Sequence, residues 1–285
     1  MARYHLNTHD VVRVSGADAH KLLNDTLTCR FDEGLVGVGR WFALLSPQGK
    51  VQVEGLVTES AGSFWFTMEK GLVADFIKRM KLYRLRAKVE IEAMPSYAVF
   101  WSPDGDRPEA DGVIAYRDER GGGLGTRYVT PQAADQPAGE TGTGSLIAYN
   151  AARIAAGVAE YGTDFGINEV FPHDIGMDFL GGLDFKKGCY VGQEVVSRME
   201  HRGTARRRPV LVSSVPNGAA AGAPVMIADR EAGPIGAPND GRAVAILRLD
   251  RISGAAATVG GLPVELSLPG WATYKFGGTV EAGEA

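Results

Sequence analysis

The chain has few cysteines, no long apolar run and little excess charge. Only Cys29 and Cys189 occur among its 285 residues. They lie far apart and outside any C-x-x-C arrangement, so cysteines alone build neither a disulfide framework nor a self-contained zinc or cluster site. No segment reaches the roughly 18 consecutive apolar residues of a membrane span. We therefore expect no stably bound metal and no membrane partner.

The N-terminus and the overall composition narrow the class of protein further. The stretch "MARYHLNTHD" lacks the apolar core of a signal peptide and the acid-free, arginine-rich pattern of a transit peptide. This predicts a soluble cytoplasmic protein. The formal net charge of −4 argues against nonspecific nucleic-acid binding by the whole surface, although a local basic patch stays open. The length suffices for two or three globular domains.

The first half of the chain alternates between strand and helix patterns. Leu22, Leu23 and Leu27 form an apolar stripe typical of a helix. The stretch "WFALLSPQGKVQVEGLVT" is typical of a hairpin, with turn chemistry between two apolar segments. Residues 50–130 indicate a compact α+β unit. Residues 131–144, rich in Pro, Gly and small polar residues, predict a mobile connection out of it.

The second half begins with a helical pattern and ends in short strands. The stretch "SLIAYNAARIAAGVAEYG" predicts an alanine-rich helix, and "FPHDIGMDFLGGLDF" predicts a loop after it. From Arg208 onward, short strands punctuated by Gly and Pro predict a small β-barrel.

Between loop and barrel lies "FKKGCYVGQEVVSR", residues 185–198. Gly188 and Gly192 flank Cys189 and favour a tight turn around it. A thiol at a helix N-terminus beside Lys186 and Lys187 should have its thiolate favoured, which makes it a nucleophile, a metal ligand or an oxidation target. The alternative is that Cys189 is a small buried apolar residue.

The polar residues after Cys189 carry the same ambiguity. Gln193, Glu194 and Arg198 follow in the predicted helix. Glu194 and Arg198 are four residues apart and could equally form an ordinary surface ion pair.

The longer stretch "LGGLDFKKGCYVGQEVVSRMEHRGTARR" resembles the signature of the YgfZ family, folate-binding proteins related to the T-protein (aminomethyltransferase) of the glycine cleavage system. Weaker matches, such as "VRVSGADAHKLLNDTLT" and "LLSPQGKVQVEG", fall in the family's order. The specific part is "KGCYVGQE", and more distant arginines extend it. The motif residues are Lys187, Gly188, Cys189, Tyr190, Gly192, Gln193, Glu194 and Arg198.

The resemblance implies an α+β fold of three domains around a central folate-binding hole. Residues 1–48 and 145–208 would form a discontinuous first domain, residues 49–144 an inserted ferredoxin-like domain, and residues 209–285 a C-terminal β-barrel. It also implies binding of tetrahydrofolate or a one-carbon derivative, and a role in the assembly or repair of iron–sulfur proteins. Client or assembly proteins would be the partners, and Cys189 would be required.

The resemblance also suggests folate contacts. In the aminomethyltransferases a Pro-x-Glu carboxylate holds the pterin; here "FPHD" offers Asp174, one methylene shorter. The alternative is a loop-surface aspartate. Its neighbour His173 is expected to be a solvated loop residue. The arginine-rich run after the motif is predicted to receive the folate tail, through Arg198, Arg202 and Arg207.

Two alternative functions stay open. A folate-dependent one-carbon transferase would need a catalytic acid, for which Asp75 is the aligned residue, although the asparagines of the aminomethyltransferases are missing from "FTMEKGLVADF". Asp75 also fits the exposed face of an amphipathic helix. A tRNA-modification factor would use Arg206, Arg207 and Arg208 as a basic surface.

Overall fold

A computed structural model describes residues 2–31, 34–105, 111–132, 143–203, 205–254 and 256–277. Four α-helices occur in these ranges: α1 (Ala19–Thr26), α2 (Lys70–Arg84), α3 (Thr143–Ala155) and α4 (Gln193–Arg202). Three 3-10 turns accompany them, at Arg120–Gly122, Pro172–Ile175 and Leu249–Arg251. Most of the predicted mobile connection at 131–144 lies outside the described residues.

Within the described ranges, fifteen strands form two sheets. Those of the first sheet are β1 (Tyr4–His5), β2 (His9–Ser15), β3 (Val38–Leu45), β4 (Val51–Ser60), β5 (Ser63–Glu69), β6 (Glu90–Ala93), β7 (Tyr97–Ser102), β8 (Ile114–Asp118) and β9 (Thr126–Pro131). Those of the second are β10 (Arg207–Ser213), β11 (Pro224–Ile227), β12 (Arg230–Pro234), β13 (Ala243–Arg248), β14 (Ala257–Val259) and β15 (Leu262–Ser267).

The first sheet runs in the order β1-β7-β9-β8-β3-β4-β5-β2-β6. Its pairs are antiparallel except β3 and β8, which run parallel. Side chains alternate between two cores, as the two-residue period of a strand requires. On β3, Trp41 and Ala43 join one core and Phe42 and Leu44 the other. The chain therefore builds a sheet that is apolar on both faces.

Each face of this sheet is covered by different segments. The α1 and α2 side chains Leu23 and Phe76 pack in one core. The opposite core takes Tyr149 from α3, Val196 from α4 and Ile246 from the barrel. The motif loop and the barrel therefore lie on the face opposite α1 and α2.

The second sheet closes into the predicted barrel. Its order is β12-β11-β14-β15-β10-β13, and an isolated bridge between Ile235 and Ala245 joins its two ends. Its interior is a separate apolar cluster that includes Val210, Val225 and Leu247. The α+β fold class and the C-terminal barrel are thus confirmed.

The predicted first boundary, between residues 48 and 49, falls in the turn joining β3 and β4. Strands from both sides of it hydrogen-bond within one sheet. The domain boundaries themselves stay a prediction. In the described part of the chain, no helix combines the length and apolar character needed to cross a bilayer.

The motif loop is fastened to α1 by a buried lysine. The Lys187 Nζ donates to the carbonyl oxygens of Asn24 and Cys29, each at 2.8 Å, and to that of Leu27. These carbonyls lie at and beyond the C-terminal end of α1, where backbone acceptors lack helical partners and a positive charge is favourable. The ammonium also lies 4.9 Å from the centre of the Tyr190 ring. We call this set of contacts the lysine clamp.

A second contact fixes the start of α4. Gly192 precedes the helix with φ of +80°. A Cβ on it would lie 2.6 Å from the Ser46 carbonyl oxygen, and one on Gly49 would lie 2.9 Å from the Val195 Cβ. The β3–β4 turn and the α4 N-terminus thus approach more closely than side chains allow. Among the described residues, by contrast, none lies within 4 Å of a Cβ added to Gly188, and its φ is outside the left-handed region.

The two motif glycines therefore differ in what they can tolerate. We expect Gly192→Ala to lower the free energy of unfolding by about 1–3 kcal/mol, because it strains a left-handed residue and collides with backbone. Gly188→Ala is the matched control and should stay within about 0.5 kcal/mol of the unmodified protein. Urea denaturation measures both. Equal losses would contradict this account of the glycines.

Two adjacent lysines should likewise differ in how far their substitution destabilises the protein, because only Lys187 forms the lysine clamp. Lys187→Met should destabilise the protein by about 3 kcal/mol, since it leaves buried carbonyls without donors. Lys186→Met alters an exposed side chain and should change the free energy of unfolding by less than about 0.5 kcal/mol. If Lys187→Met unfolds at the urea midpoint of the Lys186→Met control, the clamp contributes nothing.

Candidate functional site

The two cysteines occupy opposite environments. Cys189 is exposed and Cys29 is buried. Burial raises the pKa of the Cys29 thiol to about 12, with the nearby Lys187 ammonium opposing the shift. Cys29 is therefore protonated and enclosed at neutral pH, whereas Cys189 meets solvent. The alternative that Cys189 is a small buried residue is excluded by its exposure.

The surroundings of Cys189 differ from the predicted ones. Helix α4 begins at Gln193, after the N-cap Gly192, so the thiol precedes the first turn by several residues. The ammonium of Lys187 is engaged in the lysine clamp and is buried. Lys187 therefore holds the loop and directs its ammonium toward the end of α1.

An aspartate shapes the turn before the cysteine. The Asp184 Oδ1 accepts hydrogen bonds from the backbone N–H groups of Lys186 at 2.7 Å and Lys187 at 2.9 Å. Its Oδ2 lies 3.2 Å from the Arg30 Nε. An aspartate that binds the N–H groups two and three residues ahead is a common turn device. This pattern was readable in "LDFKKG" and marks Asp184 as a positioning residue that the sequence analysis missed.

The remaining motif residues make contacts within their own segment. Tyr190 is buried, and its N–H donates to the Gln193 Oε1 at 3.1 Å. Burial raises the pKa of the Tyr190 phenol. The Arg198 Nη2 donates to the Glu194 Oε1 at 2.7 Å, and both side chains are exposed. The pair is thus of the ordinary i,i+4 surface kind.

Two of the four predicted folate contacts come together. Asp174 is buried in the 3-10 turn, where its Oδ2 accepts from the Phe171 N–H at 2.9 Å and from the Arg207 guanidinium. Arg207 is partly exposed and also donates to the Glu169 carbonyl oxygen at 3.1 Å. The alternative of a loop-surface aspartate is therefore excluded. Arg198 binds within its own helix, and the Arg202 side chain lies outside the described residues.

Lys50 completes a cationic rim beside Asp174. Its Nζ donates to the Glu169 carbonyl oxygen at 3.1 Å and lies 3.7 Å from the centre of the Phe171 ring. Burial lowers the pKa of Lys50, an effect that Asp174 opposes and Arg207 reinforces. One buried carboxylate beside two cations is a donor set that fits the polar groups of a folate: ring N–H donors for the acid, tail carboxylates for the cations.

The cavities fit a folate less well. Four have volumes of about 640, 450, 250 and 140 Å³, and none of these four is lined by Asp174, Arg198 or Arg207. The smallest, bordered by His9, Tyr149 and Glu160, is below the roughly 300–1,000 Å³ of a typical small-molecule site. The donor set therefore fits a folate, whereas none of these four cavities adjoins it.

The small cavity borders a buried ionic network. The Tyr149 hydroxyl donates to the Glu160 Oε1 at 2.7 Å, and the His9 Nε2 lies 3.4 Å from the same oxygen. Arg127 and Arg153 approach Glu160 at 3.5 and 3.8 Å. These partners and the His9 hydrogen bond hold the pKa of Glu160 well below its ordinary value despite burial. Every charge in this set has a partner, as burial requires.

The three-arginine surface predicted for nucleic acid does not form. Arg206 is exposed, but Arg207 pairs with Asp174 and Arg208 is buried. The Arg208 Nη1 donates to the His173 carbonyl oxygen at 2.6 Å and to the Asp178 Oδ1 at 2.8 Å. Two of the three positive charges are thus neutralised internally, which removes the basis for RNA binding through this run.

His173 is not the solvated loop residue that was expected. It is fully buried, and its Nε2 lies 3.1 Å from the Glu200 Oε2 on α4. The hydrogen bond with His173 holds the pKa of Glu200 below its ordinary value. Burial raises the pKa of Asp178, and the Arg208 guanidinium opposes this shift. His173, Asp178 and Glu200 thus form a polar cluster that sequence spacing did not reveal.

Comparison with known proteins agrees with this architecture. Residues 206–274 match the family described as CAF17, C-terminal beta-barrel domain. The crystal structure of glycine cleavage system aminomethyltransferase T from Bartonella henselae superposes with a TM-score of 0.73, over 96% of this chain and 87% of that one. At 15% sequence identity this likeness shows the fold alone.

Two relatives carry the name iron-sulfur cluster assembly factor IBA57 homolog, mitochondrial. The protein from Chaetomium globosum is 29% identical over 262 residues, covering 80% of this chain and 60% of the relative. That from Pyricularia oryzae is 30% identical over 214 residues, covering 71% and 55%. The chain therefore spans little more than half the length of these relatives.

The names of the relatives correct one prediction. They are mitochondrial proteins, which contradicts the cytoplasmic location predicted from the N-terminus. That prediction is wrong. It rested on the N-terminal residues of a chain that matches only part of its relatives, and these residues are a poor guide to location. The barrel of this chain is thus similar to that of CAF17, its sequence is similar to those of IBA57 homologues, and its fold is that of the glycine cleavage T-protein.

Proposed function

We propose that this chain is an assembly factor for iron–sulfur proteins and that the Cys189 thiol is the group required for this function. One observation carries the proposal: a single exposed thiol stands on a loop that buried contacts hold in place. The names of the two fungal relatives support the process. The finer identity with the YgfZ family is part of this proposal.

The thiol count limits what the chain does alone. Iron–sulfur clusters are held mainly by cysteine thiolates, commonly four. This sequence has two cysteines, and the second is enclosed in the α1 core. Cys189 therefore supplies one ligand to iron or to a cluster that a partner protein holds with the rest. Ligation requires the thiolate, so the thiol loses its proton as the metal binds.

The surface around Cys189 suits such an encounter. Gly188 is exposed, and no described residue is close enough to exclude a side chain at its position. A partner protein whose backbone approaches the Cys189 sulfur closely would require a residue without a side chain at position 188. The Asp184 turn and the lysine clamp keep the loop ordered without covering the thiol. The partner is thus a cluster-carrying or cluster-receiving protein that contacts Gly188 and Cys189 together.

The proposal predicts a specific loss of function at Cys189. In a cell that lacks the protein, Cys189→Ser should abolish support of iron–sulfur enzyme activity, while the thermal midpoint stays within about 1 °C because the residue is exposed. Lys186→Met, which changes the exposed residue three positions earlier, should retain activity. Alkylation should modify one thiol in the native protein and two after unfolding.

Two results would overturn this assignment. The first is full iron–sulfur enzyme activity with Cys189→Ser expressed at the normal level. The second is a native protein whose Cys189 resists alkylation. A serine variant that loses both activity and several kcal/mol of stability would instead assign Cys189 to packing.

We further propose that reduced folate binds at Asp174 and Arg207. The family resemblance motivates this ligand, and the buried carboxylate beside Arg207 and Lys50 is the observation that favours it. Because Arg207 already occupies the carboxylate, folate binding involves exchange of that ion pair. A one-carbon transferase reaction would in addition need an acid near the folate; Asp75, half-buried on α2, is the residue to test.

Calorimetry with tetrahydrofolate tests the ligand. We expect saturable heat with the unmodified protein, and an affinity about tenfold lower for Asp174→Asn, the size of one charge-assisted contact. Asp250→Asn, which breaks an exposed pair with Arg248 in the barrel, should bind normally. Absence of both heat and thermal stabilisation at millimolar ligand would refute folate binding and leave the Cys189 assignment untouched.

A further inference from the structure

We propose that His173, Asp178 and Glu200 bind a divalent first-row transition-metal ion. Each offers one ligand atom, and these atoms all lie within 4.8 Å of one another. The three residues come from separate places: the 3-10 turn Pro172–Ile175, the loop after it, and α4. The site uses no cysteine, so it is independent of the function proposed for Cys189. It also departs from the expectation of no stably bound metal, which considered cysteine ligands alone.

The first ligand is the imidazole of His173. His173 is fully buried, and its Nδ1 has no hydrogen-bond partner among the described residues. Its Nε2 lies 3.1 Å from the Glu200 Oε2, a separation at which both atoms can reach one ion. An imidazole gives one nitrogen to an ion, and in His173 the nitrogen that faces Glu200 is Nε2. The ring of Phe185, centred 6.1 Å away, lies beside the imidazole.

The two carboxylates supply the charge. The Asp178 side chain is 7% exposed and that of Glu200 34%. The Asp178 Oδ1 accepts from Arg208 at 2.8 Å, which orients the carboxyl group as outer ligands commonly do. With a neutral imidazole, the cluster and Arg208 together carry one net negative charge. A divalent cation is therefore favoured electrostatically, even with the guanidinium present.

The ligand types restrict the metal. One imidazole and two carboxylates suit Zn²⁺, Fe²⁺ or Mn²⁺ and not the thiolate-preferring Cu(I). Three protein ligands leave at least one coordination position for water or an incoming group. The ion would also cross-link α4 to the turn that carries Asp174, and so add rigidity beneath the motif loop.

Metal titration of the full chain tests the site. The protein is stripped with a chelator in the Cys189→Ser background, so that the exposed thiol cannot contribute. We expect one Zn²⁺ per chain by calorimetry, a rise in thermal midpoint, and new visible absorption bands with Co²⁺. Glu200→Gln should weaken Zn²⁺ binding at least tenfold, and Glu200→His, which restores a ligand, should recover it. Glu200 is partly exposed, so these variants preserve the fold.

Two control variants separate this site from chance surface binding. Glu194→Gln changes an exposed carboxylate on the same helix, and His201→Gln changes the exposed histidine beside Glu200; both should bind Zn²⁺ as the parent does. The proposal fails if the parent shows no saturable binding, or if Glu200→Gln binds as tightly as the parent. It also fails if His201→Gln loses the ion, which would place the metal on the helix surface.

Discussion

The arrangement depends first on where one ammonium group is placed. Lys187 is drawn into the protein because carbonyl oxygens at and beyond the end of α1 accept hydrogen bonds from its ammonium. A buried ammonium is tolerated only when its N–H groups have acceptors, and here three backbone carbonyl oxygens accept from it. With Lys187 held inward, the residues that follow it turn outward. Exposure of Gly188 and Cys189 is thus a consequence of burying their neighbour.

Much of the fold follows from local patterns. The alternation of Trp41, Phe42, Ala43 and Leu44 between two cores is the two-residue period of a strand, and it is legible in the sequence. The helices at residues 70–84 and 193–202 fall where apolar spacing and turn residues indicate them. Sheet order was less accessible, since the parallel contact of β3 with β8 pairs residues that are 79 positions apart.

The prediction of site residues failed where the direction of a side chain mattered more than its proximity in sequence. Lys187 stands two residues before Cys189, yet its side chain runs the other way. Arg207 and Arg208 are adjacent, but both lie in β10, whose alternation sends one toward Asp174 and the other toward Asp178. The partner of His173 lies 27 residues away. Neither orientation nor such distant pairing can be read from composition, whereas the motif that contains Cys189 could be.

The lysine clamp also bears on the order in which the chain acquires structure. Its donor and acceptors are separated by 158 to 163 residues. Domains fold from the N-terminus as they emerge during synthesis. The carbonyl oxygens at the end of α1 therefore lack the Lys187 ammonium until residue 187 has left the ribosome. The thiol therefore reaches its final setting only after the N-terminal helix is in place. A truncated or misfolded product lacks the correct display of Cys189, so a partner that recognises this loop would discriminate finished molecules from unfinished ones.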